Sequence, residues 1–595
     1  MDLAGAGLSD AGRGPIDVPV SETMRIRIIR IGIIILFSMI VMDLFYLQAI
    51  QGRYFYDLST SNRIRVVPLE GWRGRIKDRQ GRIMADNQLS YDVMVTPQDI
   101  EKGEELFRFL AEALGLSQQS IAQRYNRGKT APFAPVAIAE DVSREKAITI
   151  EENRYRFPSV FVEEHYQRFY PLGANSAHVL GYIGKINRAR MERFKEYGYS
   201  LQSVIGYSGV EEYYDAYLRG EEGGLQVEVN SRGRQVRLLG LKEAKKGQDI
   251  TLTIDSDIQQ AALELLEERP GVVIVMDMDN GEVLGLTSSP GFDPNVFVGG
   301  GDHGEVNRLF SNEAAPVLNR AIKGLFPPGS VFKVSMAMAG LDTRKITAGT
   351  TFVCNGEYYL KKARFRCTHV HGPQNLIEAL AHSCNVYFYN VGLLLGVEAI
   401  NRHAGILGLG ELTYIDLPYE EKGGIPGRPE RHLSGTGQWR AGDTLNLSIG
   451  QGETLITPLQ LVRMMAAVAR DGLMVQPHLL KAVGDAGIEK SYLEERRIKI
   501  DPRIFQTLQK GLRAAVTDFA GTAHMLDFND LYVAGKTGTA QTSGGQNSHA
   551  WFVGYAKGEK KNIAFCVFLE HGGSSYNACL IARDLLRRMK DDGIL

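Results

Sequence analysis

Cysteine is scarce in this chain. Five cysteines in 595 residues cannot make the disulfide framework that staples small secreted domains. Charge of one sign is not in excess either: 68 Lys and Arg face 69 Asp and Glu, a formal net charge of −1. A nucleic-acid partner, which calls for a basic face, is therefore not expected. The composition lacks the bias of a disordered chain, with 44% apolar and 23% charged residues. The length excludes a single domain and suggests three or four.

Long hydrophobic runs are missing except for one. Ile31–Tyr46, "IGIIILFSMIVMDLFY", is interrupted only by Ser38 and Asp43, and "LQAI" carries it to Ile50. At 1.5 Å per residue, about 20 residues span a bilayer core. Arg25, Arg27 and Arg30 lie just before it. The positive-inside rule then assigns residues 1–23 to the cytoplasm, 24–50 to a membrane anchor and the rest to the far side. A cleaved signal peptide is the rival reading, but "QGRYFYDL" after the run offers no small-residue cleavage site. Asp43 is unusual inside a span and hints at a partner helix.

Residues 51–247 are mixed in character, with short strand-like runs such as "SYDVMVTP" and helical ones such as "GEELFRFLAEALGL". From Gly247 the pattern changes. Ile250, Leu252 and Ile254 alternate with polar residues, and Ile258, Ala261, Ala262, Leu265 and Leu266 then recur at helical spacing. "GVVIVMDMDNGEVLGLTSSP" predicts two strands around the Asn280-Gly281 turn. "LYVAGKTGTAQ", "HAWFVGYA" and "NIAFCVFLEHG" predict three more, followed by a helix near Ala578–Lys590. Strands at both ends of a long helical middle imply an α+β domain over 248–595, one mixed sheet covered by helices.

Within that middle, "GLFPPGSVFKV" halts the chain at two prolines and a glycine, then presents Ser330 with Lys333 three residues on. A helix starting there places both on one face, and its unpaired N–H groups can stabilise an oxyanion. A serine hydroxyl needs a base to become nucleophilic. The apolar neighbours Val331, Phe332, Val334, Met336 and Met338 would lower the lysine pKa by desolvation, so that it can serve. The bland alternative is an N-cap serine with a snorkelling lysine. A second S-x-x-K, Ser143–Lys146, has charged inner positions and reads as a solvated helix start.

Two later stretches shift the balance. "AHSCNVYFYNVG" carries Ser383 and Asn385, and "AGKTGTAQ" carries Lys536, Thr537, Gly538 and Thr539 on a predicted strand. There Gly538 would let a substrate backbone approach closely, and the lysine and threonines offer charge and hydroxyls to an anionic terminus. S-x-x-K, S-x-N and K-T-G in this order form the motif set of penicillin-binding proteins and serine β-lactamases. Beyond residue 50 the chain resembles the class B penicillin-binding proteins, the monofunctional peptidoglycan transpeptidases. "RGRIKDRQGRIMADN", "RFYPLGANSAHVLGYIG", "GYSGVEEYYDAYLRGEEG" and "LSIGQGETLITPLQL" resemble further blocks of that family. A β-lactamase would lack both anchor and pedestal. No glycosyltransferase stretch is evident, and the tail is too short for PASTA repeats.

The resemblance implies a pedestal over 51–247 and a transpeptidase domain over 248–595. It implies that Ser330 attacks between the last two D-alanines of a stem peptide, with Lys333 as base. Ser383 would relay a proton to the leaving amine, and Asn385 would hold the substrate amide. Lys536, Thr537 and Thr539 would bind the terminal carboxylate, and the N–H groups of Ser330 and Thr539 would form the oxyanion hole. β-Lactams would acylate the same serine. In the elongation branch the implied membrane partner is a RodA-type SEDS glycosyltransferase. A division-type enzyme, a carboxypeptidase or β-lactam sensor, and a non-catalytic scaffold are the alternatives.

Cys354, Cys367 and Cys384 fall between the first two motifs, with His369 and His371 in "CTHVH". Three thiols and an imidazole can close a tetrahedral zinc site. The elongation branch, penicillin-binding protein 2, resembles this in carrying a metal site here, on two aspartates, a His and a Cys. By that resemblance His371, preferred to His369, and Cys384 match the last two, while Cys354 and Cys367 stand in for the carboxylates. A Cys354–Cys367 disulfide with Cys384 as a small buried residue is the alternative, and free thiols a third. Cys566 reads as core, His549 as a pocket or packed histidine, and Asp277 and Asp279 as hairpin charges.

Overall fold

The computed structural model describes residues 20–69, 71–194, 199, 203–229, 235–299, 303–427, 438–484, 486–487, 495–542 and 544–595. Most of the stretch assigned to a cytoplasmic tail, residues 1–19, lies outside the described residues. The chain forms two compact units, 1–69 with 223–243, and 70–222 with 244–595. The stretch read as one pedestal is thus shared between them.

The first unit begins with the helix Val20–Phe45, prolonged by a π-helical turn at Tyr46–Ile50. Met24–Ile50 is long and apolar enough to cross a membrane, with a mean hydropathy of 2.4 over an 18-residue window. Its large side chains are bare, Phe37 being 66% exposed, as a helix awaiting lipid or a partner helix must be. A helix over Gly52–Arg63 follows, and then an antiparallel sheet in which Gly223–Val229 lies between Ile64–Leu69 and Gln235–Lys242.

In the second unit the head of the pedestal is joined to the C-terminal domain by a shared sheet. Ile250–Leu252 pairs in parallel with Ile76–Lys77 and antiparallel with Leu480–Val483. Ile83–Val95 pairs with Val136–Val142 and Val160–Phe169. Three of the resembled blocks meet in one buried cluster. Glu211 accepts from Arg73 at 2.8 Å and from Arg168 at 2.6 Å, and Asp215 lies 2.8 Å from Arg73.

The C-terminal domain is built on a five-stranded antiparallel sheet. Its order is Val283–Ser289, Gly271–Asp277, Asn562–Leu569, His549–Lys557 and Tyr532–Ala540, so the strand bearing K-T-G is an edge. This is the expected α+β architecture, with strands from both ends meeting and helices between. The sheet is antiparallel throughout where a mixed one was expected, because consecutive strands are joined directly by turns. One face is covered by Ser256–Leu266 and Ser575–Asp591. The other packs on Pro458–Ala469, a helix apolar around most of its circumference and buried at every position. Thr457 caps it and Pro458 opens it. Cys566 and Cys579 are both core residues, one on each side of this sheet.

Candidate active site

The "PPGS" turn places Gly329 at φ +55°, a left-handed conformation that suits glycine. A Cβ there would stand 2.8 Å from the Thr539 carbonyl oxygen, so the serine turn is pressed directly against the K-T-G strand. A short 3-10 segment, Gly329–Phe332, carries Ser330 and runs into the helix Lys333–Asp342. Residues 333–340 of that helix are all buried, Lys333 with them. The serine is only half-buried. An apolar helix of this kind fixes the lysine without solvating it.

Lys333 Nζ donates to Asn385 Oδ1 at 2.6 Å, to the Ser383 carbonyl at 2.8 Å and to Ser383 Oγ at 3.3 Å. Burial pulls its pKa down from 10.5 to about 8. The contacts account for all three N–H bonds of an ammonium. A neutral amine keeps two, enough for the two shortest, and gains a lone pair toward a hydroxyl. Ser383 itself sits at φ +57°, a strained position for a residue with a side chain. The Asn385 amide is partly spent on the protein, since Nδ2 donates to the Arg366 carbonyl at 3.2 Å. One N–H and one oxygen lone pair remain for a ligand.

Lys536 is completely buried, and its pKa is forced well below 10.5 by desolvation and by the charge of Lys333. Its ammonium reaches the Thr537 carbonyl at 3.3 Å and Oγ1 at 3.4 Å. Thr539 is exposed on the edge strand. Gly538 also makes room within the protein. A Cβ there would meet Pro328 O at 2.9 Å and Val331 Cγ2 at 3.0 Å, so the missing side chain lets the serine turn pack on the strand.

Thr522 escaped the sequence reading. It accepts from Thr537 Oγ1 at 2.8 Å, and its N–H donates to the Ala381 carbonyl at 3.2 Å, tying the K-T-G strand to the segment before S-x-N. No motif marks it, because only the fold brings residue 522 to 537. His549 is packed among Phe326, Phe568 and His571, and burial pushes its pKa down to about 4. Ser143 caps the helix Arg144–Glu152, and Lys146 donates to the Leu114 carbonyl, as a structural S-x-x-K should. Asp277 pairs with Lys561 at 2.6 Å, a hairpin charge.

Cys354, Cys367, His371 and Cys384 converge beside this site, with one ligand atom from each lying within 4.8 Å of the others. His371 Nδ1 is 3.5 Å from both Cys354 Sγ and Cys367 Sγ. His369 contributes no ligand atom to this group. No disulfide joins any of the five cysteines. A hydrogen bond from Cys384 holds Cys367 toward its thiolate form, and the same pairing raises Cys384. Tetrahedral zinc with bonds of about 2.3 Å to sulfur and about 2.0–2.1 Å to nitrogen separates S from N by about 3.5 Å, so the donor set fits such an ion. The Asn385 N–H donates to Cys367 Sγ at 3.2 Å, which joins the thiol cluster to the S-x-N motif.

A half-buried serine on a tight turn, a buried lysine of lowered pKa and a hydroxyl–amide pair, all against an edge strand, define a serine acyl-transferase of the penicillin-recognising kind. The comparisons carry this further. The penicillin-binding protein transpeptidase domain matches residues 271–587, and the penicillin-binding protein dimerisation domain matches 68–252. The peptidoglycan D,D-transpeptidases MrdA of Acinetobacter baumannii and Haemophilus influenzae are 32% and 31% identical to this chain. Each alignment spans 93% of this chain, and 85% and 90% of the respective relatives. Helicobacter pylori penicillin-binding protein PBP2, solved with MreC, superposes with a TM-score of 0.79 at 27% identity, over 89% of this chain and all of that one. A chain from a peptidoglycan synthase complex that coordinates polymerization and crosslinking gives 0.72 at 30% identity, over 94% and 97%. The chain belongs to the class B penicillin-binding protein transpeptidases.

Proposed function

We propose that this chain is a peptidoglycan D,D-transpeptidase of cell-wall elongation in which Ser330 is the nucleophile and Lys333 its base. The observation that carries the assignment is the fully buried Lys333 ammonium, which spans Ser383 and Asn385 with a pKa lowered by burial to about 8. Ser330 Oγ bonds to the carbonyl carbon of the penultimate D-Ala, and its proton passes to neutral Lys333 Nζ. The N–H groups of Ser330 and Thr539 receive the oxyanion, and the packing of Gly329 on Thr539 supports that pairing. Collapse breaks the C–N bond, the proton returns through Ser383 Oγ to the departing amine, and D-Ala leaves. An amine of a neighbouring stem then attacks the ester by the reverse sequence, which completes the cross-link and frees Ser330. Thr537 and Thr539 hold the terminal carboxylate, with the Lys536 side chain behind them.

The thiol cluster is assigned to a structural Zn2+ held by Cys354, Cys367, His371 and Cys384. Such an ion would lock the segment around Cys367 to the S-x-N motif and take no part in acyl transfer. The anchor is assigned to the bacterial cytoplasmic membrane with its N-terminus inside, on the strength of Arg25, Arg27 and Arg30. Its partner is a RodA-type SEDS glycosyltransferase, a reading supported by the synthase-complex relative. The exposed Asp43 belongs at that contact. Intact mass after exposure to a penicillin tests the assignment. One adduct per chain on the parent and none on Ser330→Ala is expected, whereas an adduct that survives Ser330→Ala would refute it.

A further inference from the structure

A two-stranded hairpin, Glu357–Leu360 paired with Ala363–Arg366, stands between the thiols Cys354 and Cys367. One face is apolar and packed, with Tyr358 and Phe365 lying 6.0 and 5.8 Å from Tyr389 between ring centres. The opposite face and the tip carry Lys361, Lys362, Arg364 and Arg366, all exposed, against the single acid Glu357. Glu357 is taken by Arg364. Among the described residues no ion pair involves Lys361, Lys362 or Arg366. The hairpin is nevertheless not a loose charged loop. The Arg366 carbonyl accepts from Asn385 Nδ2 and from the Tyr389 hydroxyl, both at 3.2 Å, and Cys367 N donates to the Gly356 carbonyl at 2.8 Å. A free guanidinium is therefore held on a backbone bonded to the S-x-N asparagine.

We propose that this hairpin is a donor-peptide subsite, in which Arg366, assisted by Lys361 and Lys362, binds the free carboxylates of the acidic stem residues preceding D-Ala–D-Ala. The inference rests on the assignment of Ser330 and Asn385 above and deepens it. The leaving D-Ala occupies the Thr537–Thr539 cradle, so the acyl side of the peptide must run the other way, across Asn385. The backbone bonded to Asn385 Nδ2 is that of Arg366. A donor peptide with acidic residues before its D-alanines would place carboxylates there, whereas a small penicillin carries no such extension. The hairpin thus supplies cations where the substrate, and not the inhibitor, is anionic.

The test compares two thioester donors whose acyl peptide is identical except that its side carboxylates are free in one and amidated in the other. Acylation of Ser330 is followed by intact mass on the full-length chain, with penicillin acylation measured in parallel. Arg366→Gln, which keeps the backbone bonds, should lower the acylation efficiency of the free-acid donor by roughly 5-fold, the upper range for an exposed ion pair. The Lys361→Gln/Lys362→Gln/Arg366→Gln variant should lower it further. The amidated donor and penicillin should be unaffected, and added salt should erase the parent's preference for the free acid. Equal loss on both donors, or none on either, overturns the subsite while leaving Ser330 intact. A parent that takes penicillin but neither donor also overturns it. A parent that takes none of the three overturns the assignment of Ser330, and the subsite with it.

Discussion

Lys333 Nζ stands 2.6 Å from Asn385 Oδ1, so one buried cation joins the first motif to the second. The contact fixes the lysine where desolvation holds its pKa near 8, and it leaves Asn385 with half its hydrogen-bonding capacity for a ligand. Nucleophile activation and substrate orientation are therefore coupled through one atom pair.

The first prediction concerns pH. The base form of Lys333 is the neutral amine, so penicillin acylation should rise with pH and level off above about 8, the lowered pKa. Stopped-flow acylation rates between pH 6 and 9.5 check this. Lys333→Arg keeps the charge but cannot lose it, and should cut the rate by roughly 10²–10⁴, the usual contribution of a general base. A pH-independent rate, or an active arginine variant, would remove Lys333 from the role.

The second concerns the thiols. Elemental analysis of chain purified without chelator should find one zinc per molecule, absent from Cys354→Ser and Cys367→Ser. Affinity should fall as pH drops, because thiolates must be reprotonated on release. Chelation should lower the melting temperature and slow acylation together, since Cys367 Sγ receives the Asn385 N–H. Metal-free protein lighter by two hydrogens, with Cys354 and Cys367 found in one cross-linked proteolytic peptide, would instead identify a Cys354–Cys367 disulfide.

Much of this architecture was legible because the responsible signals are local. Continuous apolar runs and the Asn280-Gly281 turn located the strands of the central sheet, and the run to Ile50 located the anchor. The motif residues needed only their own spacing to be found. Other features depend on contacts between distant segments. Thr522 meets Thr537 through the helix Pro502–Thr517, and the shared sheet that joins residues 76–77 to 250–252 has no trace in either stretch alone. Gly538 shows the same limit. Its sequence context suggests room for a ligand, and only the fold shows that Pro328 and Val331 pack where its side chain would be.

Gly329 provides the third prediction. An alanine there must adopt φ +55° and place its methyl carbon 2.8 Å from the Thr539 carbonyl oxygen. The strain should cost about 1–3 kcal/mol and push the serine turn off the K-T-G strand. Gly329→Ala is expected to melt earlier and to acylate more slowly, whereas Gly349→Ala, with open space around its Cβ position, should do neither. Unchanged melting and acylation in Gly329→Ala would contradict the packing argument.

The last prediction lies in the pedestal head. Glu211 is fully buried between Arg73 and Arg168, and Asp215 alone cannot compensate both guanidinium groups. Burial by itself would raise the Glu211 pKa, but the Coulombic pull of Arg168 and Arg73 overcomes it and leaves the carboxyl below 4.5. A depressed folded pKa means that the stabilisation is complete above about 4.5 and is lost as pH falls through the lower folded value. Glu211→Gln strands a buried positive charge at every pH and should cost about 3–5 kcal/mol. Denaturant titrations of the parent and the variant at pH 7 and pH 4 check both parts. The two curves should lie far apart at pH 7 and draw together at acid pH, because acid neutralises in the parent the group that the variant has already lost. A constant gap would mean that Glu211 stabilises the head through shape rather than charge.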